Sequence, residues 1–504
     1  MLIPRSIAGQ YSSILANRHA LDRLLGERWV QLAFCVILAF AVRIATFGDP
    51  ALHTDEELYF LIGQKVLDGQ LPYVDLWDRK PLGLFLINAG FAAISRSVWS
   101  YQIAASLCVA LTGFVLMAIL RDLVKWPARF AVAFFYITLL PTLGGFGGQS
   151  PVFYNLLVAL AMLLLVRSLH ELGEGRMPGR IHGAMVLGGL ALTIKQTTAV
   201  EFAFIGLFAI YTATRAGMPR LTAMGHLVGF ALLGLLPLAT IGLYYAGTGH
   251  LAEYYHAMVV ANVAKAQLPP RELLINLSGM LSAFWLPLLL SICSIATAPK
   301  SQPRSLFGLW LFASALGFCV IPNFYWHYAL AMVGPACCCI ALLLDRTKVK
   351  LLLPVVLATG SMSLIRAESF NFAIHRQSAE NFAALASAID AHAPRGTLLV
   401  YDGPVYLYAA TQTRPLSPLV FPGHLKEMTE DGTSGRGIVA ETARILRERP
   451  GAVTFAYHDK QRNQNRTGRA MVRRYAEAHC RPITRQWIFE TLHPLEITVF
   501  GDCR

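Results

Sequence analysis

Of 504 residues, 55% are hydrophobic and only 14% are charged, with a mean hydropathy of +0.49; this excludes an ordinary soluble enzyme and places the chain among polytopic membrane proteins. The formal net charge of +13 could suit nucleic acid. However, the Lys and Arg residues form short clusters between apolar runs, as orienting loop charges do, without a basic stripe interleaved with aromatics, so no nucleic-acid partner is expected.

Residues 1–28 are polar, carry Arg5, Arg18, Arg23 and Arg28, and lack an apolar core with a small-residue cleavage site, so a removed signal peptide is not expected. Runs long enough to cross a bilayer follow at about 29–47, 101–120, 129–143, 151–168, 182–194, 197–214, 223–246, 273–297, 306–322, 327–345 and 349–365. With a short twelfth candidate at 81–96, they predict a polytopic α-helical membrane protein of about 11–13 spans. Basic clusters at Arg121/Lys125/Arg129, Arg167/Arg176/Arg180, Arg215/Arg220, Lys300/Arg304 and Arg346/Lys348/Lys350 mark every second loop. By the positive-inside rule the N-terminus is cytoplasmic, and loops 48–80, 144–150, 195–197, 247–271 and 323–327 face outward, as does everything after 366. This alternation requires 81–96 to lie along or dip into the outer leaflet; a full crossing, the alternative, would break it.

From about 370 the chain turns polar, with a helical pattern at 376–391, strand-like Thr397–Tyr401, a helix near 436–448 and strands near 452–457, 484–490 and 494–500. The division expected is a cytoplasmic segment 1–28, a membrane domain 29–366 with an outer catalytic loop 48–80, and a small outward α/β domain 367–504. Its roughly 130 residues suffice for a core. Cys35, Cys108, Cys293, Cys319, Cys337, Cys338 and Cys339 lie in or near spans, where small apolar packing is the default. Cys480 and Cys503 are in the polar domain, where an outward compartment would permit a disulfide.

Two charged motifs follow the first span. In His53-Thr54-Asp55-Glu56-Glu57, Thr54 and Glu57 read as a capping box for a helix that Gly69 stops, and acids in a first turn suit the helix dipole. Leu58, Leu61, Ile62 and Val66 form an apolar stripe that would lay this helix on the membrane surface, where extra carboxylates are awkward beside anionic head groups. Asp55 thereby stands out as functional, while Glu56 stays open between dipole and chemistry. In Asp78-Arg79-Lys80-Pro81, Pro81 suits the first position of a helix, which leaves two cations at the positive dipole end. A bound phosphate would resolve that conflict; pairing with Asp75 and Asp78, or contact with lipid phosphates generally, is the alternative.

Lys195 joins two short apolar runs, either snorkelling or reaching a cavity. His327 and Tyr328 end Asn323-Phe-Tyr-Trp-His-Tyr328, where an aromatic belt is the ordinary reading, and Arg43 near the end of the first span could snorkel or meet an anion. Together an acid and several bases gather on one side of a helical bundle. A carboxylate there can take the proton of an acceptor hydroxyl while cations hold a leaving phosphate, as inverting glycosyl transfer from a polyprenyl phosphate requires.

The ordered set Asp55-Glu56, Lys80-Pro81, Leu192-Thr193-Ile194-Lys195 and His327-Tyr328 resembles the integral-membrane GT-C glycosyltransferases over roughly residues 29–365. The likeness is greatest to the branch of protein O-mannosyltransferases and the bacterial lipid A aminoarabinose and galacturonic acid transferases. The resemblance implies Asp55 as catalytic base, with Glu56 beside it, and Lys80 and Lys195, to which we add Arg79, around the donor phosphate. Gln149, His327 and Tyr328 are candidate substrate contacts. Relatives often carry a second acid where this chain has Gln149-Ser150-Pro151, and an amide is neither a base nor a strong metal ligand. No cofactor is certain, a divalent metal stays open, and the metal ligands are unknown.

The expected donor is a polyprenyl-phosphate sugar. The expected acceptor is lipid A, lipopolysaccharide or another envelope glycan, with a protein also admitted, at the periplasmic face of a bacterial inner membrane. The competing reading is a polytopic transporter or lipid flippase, which usually shows midplane charges and internal symmetry; the motifs here lie at the outer surface and no repeat is visible.

Overall fold

A computed structural model describes residues 24–297, 301–346, 352–393, 395–458, 463–490 and 493–504. The expected cytoplasmic residues 1–23, and Lys300, Lys348 and Lys350 of the basic clusters, lie outside these ranges.

Each of the eleven apolar runs forms a helix: α1 (Arg28–Arg43), α4 (Trp99–Ile119), α5 (Trp126–Leu139), α6 (Ser150–Val166), α7 (Gly179–Leu192), α8 (Ala199–Arg215), α9 (Arg220–Gly247), α10 (Pro270–Thr297), α11 (Gln302–Val320), α12 (Leu330–Arg346) and α13 (Leu352–Arg366). Among the described residues, eight helices are long and apolar enough to cross a membrane. Proline in the first turn of α5, α6 and α11 suits these starts, because no intrahelical partner is lost there. α12 lies at the centre, with Cys337, Cys338 and Cys339 buried as small packing residues.

Between α1 and α4 come α2 (Thr54–Leu67) and α3 (Leu82–Ile94). The 13 residues of α3 reach only about 20 Å, short of the roughly 30 Å hydrocarbon core and close to the 14 residues of α5 and α7. α2 and α3 pack with their backbones in close approach: a Cβ at Gly63 would lie 2.6 Å from the Ala89 nitrogen, the small-residue device of membrane helix pairs. Two expectations for α2 are corrected. Its N-cap is His53, whose Nδ1 accepts from the Asp55 backbone N–H at 3.1 Å, so Thr54 is the first helical residue and not the cap. Nor does the helix lie on a membrane surface: Leu58, Tyr59, Phe60, Leu61 and Ile62 are all buried, on every side of the helix.

The covering on α2 comes partly from the C-terminal residues. After α13, helix α14 (Phe372–His392) leads into a five-stranded sheet of β1 (Thr397–Val400), β2 (Arg414–Pro415), β3 (Ala452–Phe455), β4 (Arg481–Glu490) and β5 (His493–Gly501), ordered β2-β1-β3-β5-β4. β1 runs parallel to β2 and β3, while β5 is antiparallel to β3 and β4, with Thr454 opposite Val499. Helices α15 (Ile438–Arg447) and α16 (Arg466–His479) complete this domain; α16 and the short β2 had no counterpart in the sequence reading. Cys480 and Cys503 form a disulfide that joins the start of β4 to the residues after β5.

Buried polar contacts dock this domain onto residues 48–80. Asp49 accepts from Ser378 Oγ at 3.1 Å and pairs with His375 at 2.9 Å. Glu57 accepts from the Tyr406 backbone N–H, Gln64 Nε2 donates to Tyr406 Oη, and the Trp77 N–H donates to the Pro418 carbonyl. Glu57, assigned above to a cap, is therefore an anchor for the sheet domain.

Candidate active site

The turn before α3 is shaped by its own acids. Asp78 Oδ1 accepts from the backbone N–H groups of Arg79 and Lys80, and Asp75 Oδ2 accepts from the Leu71 N–H. Neither carboxylate is an ion-pair partner of Arg79 or Lys80. Instead the two cations diverge. Lys80 Nζ stands 3.6 Å from Asp55 Oδ1 and 5.2 Å above the Tyr59 ring. Arg79 Nη2 reaches Glu430 Oε1 of the sheet domain at 2.7 Å, where Lys265 Nζ also binds at 2.7 Å. The helix-end conflict is thus resolved by two carboxylates in this structure, and Arg79 is held away from Lys80.

Lys195 comes to the same place because α3 begins directly against the end of α7: a Cβ at Gly83 would collide with Thr193 Oγ1. Only glycine permits that contact. Lys195 is buried, with Nζ 4.7 Å from the centroid of the Tyr328 ring. His327, one residue earlier, puts Nε2 3.9 Å from Asp55 Oδ2. Asp55, Lys80, Lys195, His327 and Tyr328, drawn from four separate segments, therefore form one cluster.

The electrostatics follow from burial and these neighbours. Burial alone would raise the Asp55 carboxyl, but Lys80, the flanking histidines and Lys195 outweigh it and hold the group well below the usual carboxylate range, so it is ionised. Burial opposes the charge of Lys80 too, yet Asp55 and Tyr59 keep it firmly protonated. Lys195 is different: burial, then Lys80, bring its ammonium down to about 7.

Glu56 points the other way. It is 1% exposed and sits against the segment that precedes α6, where a Cβ at Gly147 would strike its Oε2. Burial, then the adjacent Asp55 charge, push it up to about 8, against the backbone N–H groups of Gly148 and Gln149. Arg43 braces the same segment by donating to the Gly145 carbonyl at 2.8 Å. Gln149 places its amide 2.9 Å from His53 Nδ1 and 3.0 Å from Nε2. Gln149 thus orients His53 rather than facing Asp55 directly, and Glu56 packs against the 147–149 turn with both carboxylate oxygens buried and no hydrogen bond made to them among the described residues.

His53, Asp55 and His327 each offer one ligand atom within 4.8 Å of the others. Two imidazoles and a carboxylate are a suitable donor set for a zinc-like ion, but the Lys80 ammonium already supplies the cation at Asp55. His53, Asp55 and His327 would hold such an ion, and no step below runs through one.

Four residues near this site escaped the sequence reading as participants. His53 and Tyr59 lie in the quoted motif but carried no role. Glu430 and Lys265 are ordinary acids and bases of polar segments with no motif around them. A fifth, Glu201, had a signal: it is an acid inside the apolar run of α8, buried at 3% exposure, with Oε1 accepting from Trp310 Nε1 at 3.0 Å and Ser314 Oγ at 2.7 Å.

The helical bundle, the mixed-sheet domain that caps it and the acid–lysine cluster between them form an arrangement that is shared as a fold with solved membrane-protein structures. The structure of ArnT from Cupriavidus metallidurans bound to undecaprenyl phosphate is similar to 93% of this chain and 97% of its own, at 12% identity and a TM-score of 0.59. The apo structure of the same protein matches over the same shares at 13% identity and a TM-score of 0.61. An oligosaccharyltransferase from Archaeoglobus fulgidus is more distant, with 11% identity over 84% of this chain and 68% of its own, and a TM-score of 0.49. No family model and no curated relative matches the chain.

Proposed function

We propose that the protein is an inverting glycosyltransferase that moves a sugar from a polyprenyl-phosphate donor to an acceptor hydroxyl. One observation carries the reading: a single ionised carboxylate, Asp55, is gathered with lysines from two other segments at one site. The undecaprenyl phosphate of the ArnT structure, which shares this fold, supports a lipid-phosphate donor.

Asp55 accepts the proton of the acceptor hydroxyl as its oxygen attacks the anomeric carbon. The bond from that carbon to the phosphate oxygen breaks, and the electron pair leaves with the polyprenyl phosphate. Lys80 and Lys195, already gathered at the site, hold the growing negative charge. One displacement inverts the anomeric centre, and Asp55 then gives up its proton to water. Arg79 is a brace to Glu430 in this account, and His327 and Tyr328 are contacts beside the reacting atoms.

Donor binding also tunes the base. A phosphate that draws Lys80 away from Asp55 weakens the interaction that depresses the carboxyl, so its proton affinity rises as it is needed. The alternation of basic loops supports a site and a sheet domain facing the periplasm of a bacterial inner membrane. An acceptor in lipid A, lipopolysaccharide or another envelope glycan fits that location, as would a protein hydroxyl.

The test is mass spectrometry of envelope glycolipids and glycoproteins from cells with and without the gene. Loss of one sugar from one class of molecule supports the reading and names both substrates. Unchanged glycans with an altered solute or lipid distribution overturn it in favour of a transporter.

A further inference from the structure

The positive charge of the sheet domain is confined to one stretch. Residues 463–485 hold six arginines and one acid, whereas the rest of the domain, 367–462 and 486–504, holds eleven bases and thirteen acids. Arg469 is turned inward, where it pairs with the buried Asp402 at 2.9 Å and its guanidinium lies 4.5 Å from the centroid of the Phe455 ring. The other five are exposed: Arg466, Arg473 and Arg474 on α16, Arg481 and Arg485 on β4. Among the described residues Arg466, Arg474 and Arg481 make no ion pair, while Arg473 meets Glu477 at 2.9 Å and Arg485 meets Glu496 at 3.8 Å without either arginine being covered.

Two of these guanidiniums gather at one aromatic ring. The Tyr457 centroid, just past the end of β3, is 5.5 Å from the Arg473 guanidinium carbon and 6.0 Å from that of Arg485. Its hydroxyl donates to Glu477 at 3.3 Å, which holds the ring. Trp487 lies two residues beyond Arg485, on the same face of β4, and is 48% exposed. Cys480, between Arg474 and Arg481, is tied to Cys503 by the disulfide, which fixes the end of α16 against the sheet. The arrangement is not a motif in the chain, because Tyr457 comes from outside the basic stretch.

A charged face that only keeps a domain soluble mixes both signs, and like charges gathered together work against the compact state. A one-sign patch with accessible rings suits an anionic partner instead. Arginine forks take phosphate or carboxylate groups two hydrogen bonds at a time, and an aromatic face packs on the apolar side of a sugar. An anionic glycan supplies both. A flat bilayer of anionic head groups meets the exposed arginines but not the half-buried ring at their base.

We propose that this face of the sheet domain, centred on Tyr457 between Arg473 and Arg485, binds a glycan of the envelope through its carboxylate or phosphate groups. The inference rests on the outward orientation given under the proposed function, which sets nucleic acid aside, and not on the chemistry at Asp55.

The test measures binding of three probes to the full-length protein in phosphatidylcholine nanodiscs: an oligogalacturonate, the same oligosaccharide fully methyl-esterified, and phosphatidylglycerol vesicles at equal total charge. The ester keeps the sugar rings and removes the charge. The wild type should bind the oligogalacturonate at least tenfold more tightly than either of the others. Arg473→Gln/Arg485→Gln should cost at least tenfold and leave undecaprenyl phosphate binding unchanged within twofold. Arg474→Gln/Arg481→Gln breaks no ion pair, should cost at least fivefold, and decides the matter if the first variant does not fold. Arg376→Gln/Arg414→Gln removes the same charge from α14 and from β2 at the opposite edge of the sheet, and should change the affinity by less than twofold. Equal binding of the oligogalacturonate and its ester, an affinity untouched by the patch variants, or an equal loss in the Arg376/Arg414 variant would overturn the inference. Vesicles bound as tightly as the oligosaccharide would overturn it in favour of a lipid surface. Protection of the sheet domain from protease added outside spheroplasts would instead overturn the orientation beneath it.

Discussion

The ammonium of Lys80 stands 3.6 Å from the Asp55 carboxylate, and this pair accounts for the strong depression of that acid once burial has been overcome. A base held so low is ionised at any working pH, and it gains strength when a phosphate competes for Lys80. Lys80→Gln should therefore raise the Asp55 pKa. In a transfer assay its acidic limb should move to higher pH than in the wild type, while kcat/KM falls at least tenfold through the lost phosphate contact. An acidic limb that stays in place would separate Lys80 from Asp55 in function.

Lys195 gives a pH dependence of the opposite origin. With its ammonium brought to about 7 by burial and Lys80, Lys195 is charged at pH 6 and largely neutral at pH 8, where it must take up a proton to meet a phosphate. Binding of undecaprenyl phosphate should weaken as pH rises through about 7, by up to tenfold per unit. The ratio of wild type to Lys195→Arg cancels the titration of the lipid itself, because arginine keeps its charge throughout. A ratio that is flat from pH 6 to pH 9 would count against Lys195 as a phosphate ligand.

Arg79 should behave unlike the two lysines. It pairs at 2.7 Å with Glu430, which is 4% exposed and also holds Lys265. Arg79→Gln should change undecaprenyl phosphate affinity by less than threefold, whereas Lys80→Gln should cost at least tenfold. Glu430→Gln strands two cations and should destabilise the protein by about 3 kcal/mol or more, read from thermal unfolding. The reverse order of lipid affinities would return Arg79 to the phosphate site.

Glu56 offers a stability test free of catalysis. Burial pushes it up to about 8 from an ordinary 4.5, so between those values the folded protein keeps a proton that the unfolded chain has released. Stability from this group is complete below about pH 4.5 and is lost as pH rises through 8. Glu56→Gln cannot ionise, and its Tm should fall less than the wild-type Tm between pH 5 and pH 8. Parallel Tm profiles would mean that Glu56 is not the proton carrier.

The parts of this site that could be read from sequence are the charges that apolar surroundings make expensive. Asp55, Lys80 and Lys195 border membrane-length runs, and their cost singled them out before any geometry was known. The eleven apolar runs that fold as helices were legible for the same reason, since hydrophobic length is a one-dimensional property, although only eight helices among the described residues are long and apolar enough to cross. What stayed hidden depends on which surface covers which. The apolar stripe of α2 signals burial on one face but does not reveal that the sheet domain covers the rest, so the helix read as membrane-surface and Glu57 as a cap. His53 could not be preferred over Thr54 as the N-cap, because either side chain can accept from the first turn. Arg79 and Lys80 are neighbours in sequence, and only the position of Glu430, about 350 residues later, sends them to different partners. Glu201 was visible as an acid inside an apolar run; its partners Trp310 and Ser314 lie on another helix.

The most direct test of the central claim replaces Asp55 by its neutral isostere. Purified wild type and Asp55→Asn are compared for thermal stability, for binding of undecaprenyl phosphate, and for sugar transfer from the donor identified by glycan mass spectrometry. The account predicts a folded variant that binds the lipid at least as tightly as the wild type, since a negative charge beside the phosphate site is gone, with transfer reduced by about 10²–10⁴-fold, as expected on loss of a general base. Transfer by Asp55→Asn at the wild-type rate would contradict it.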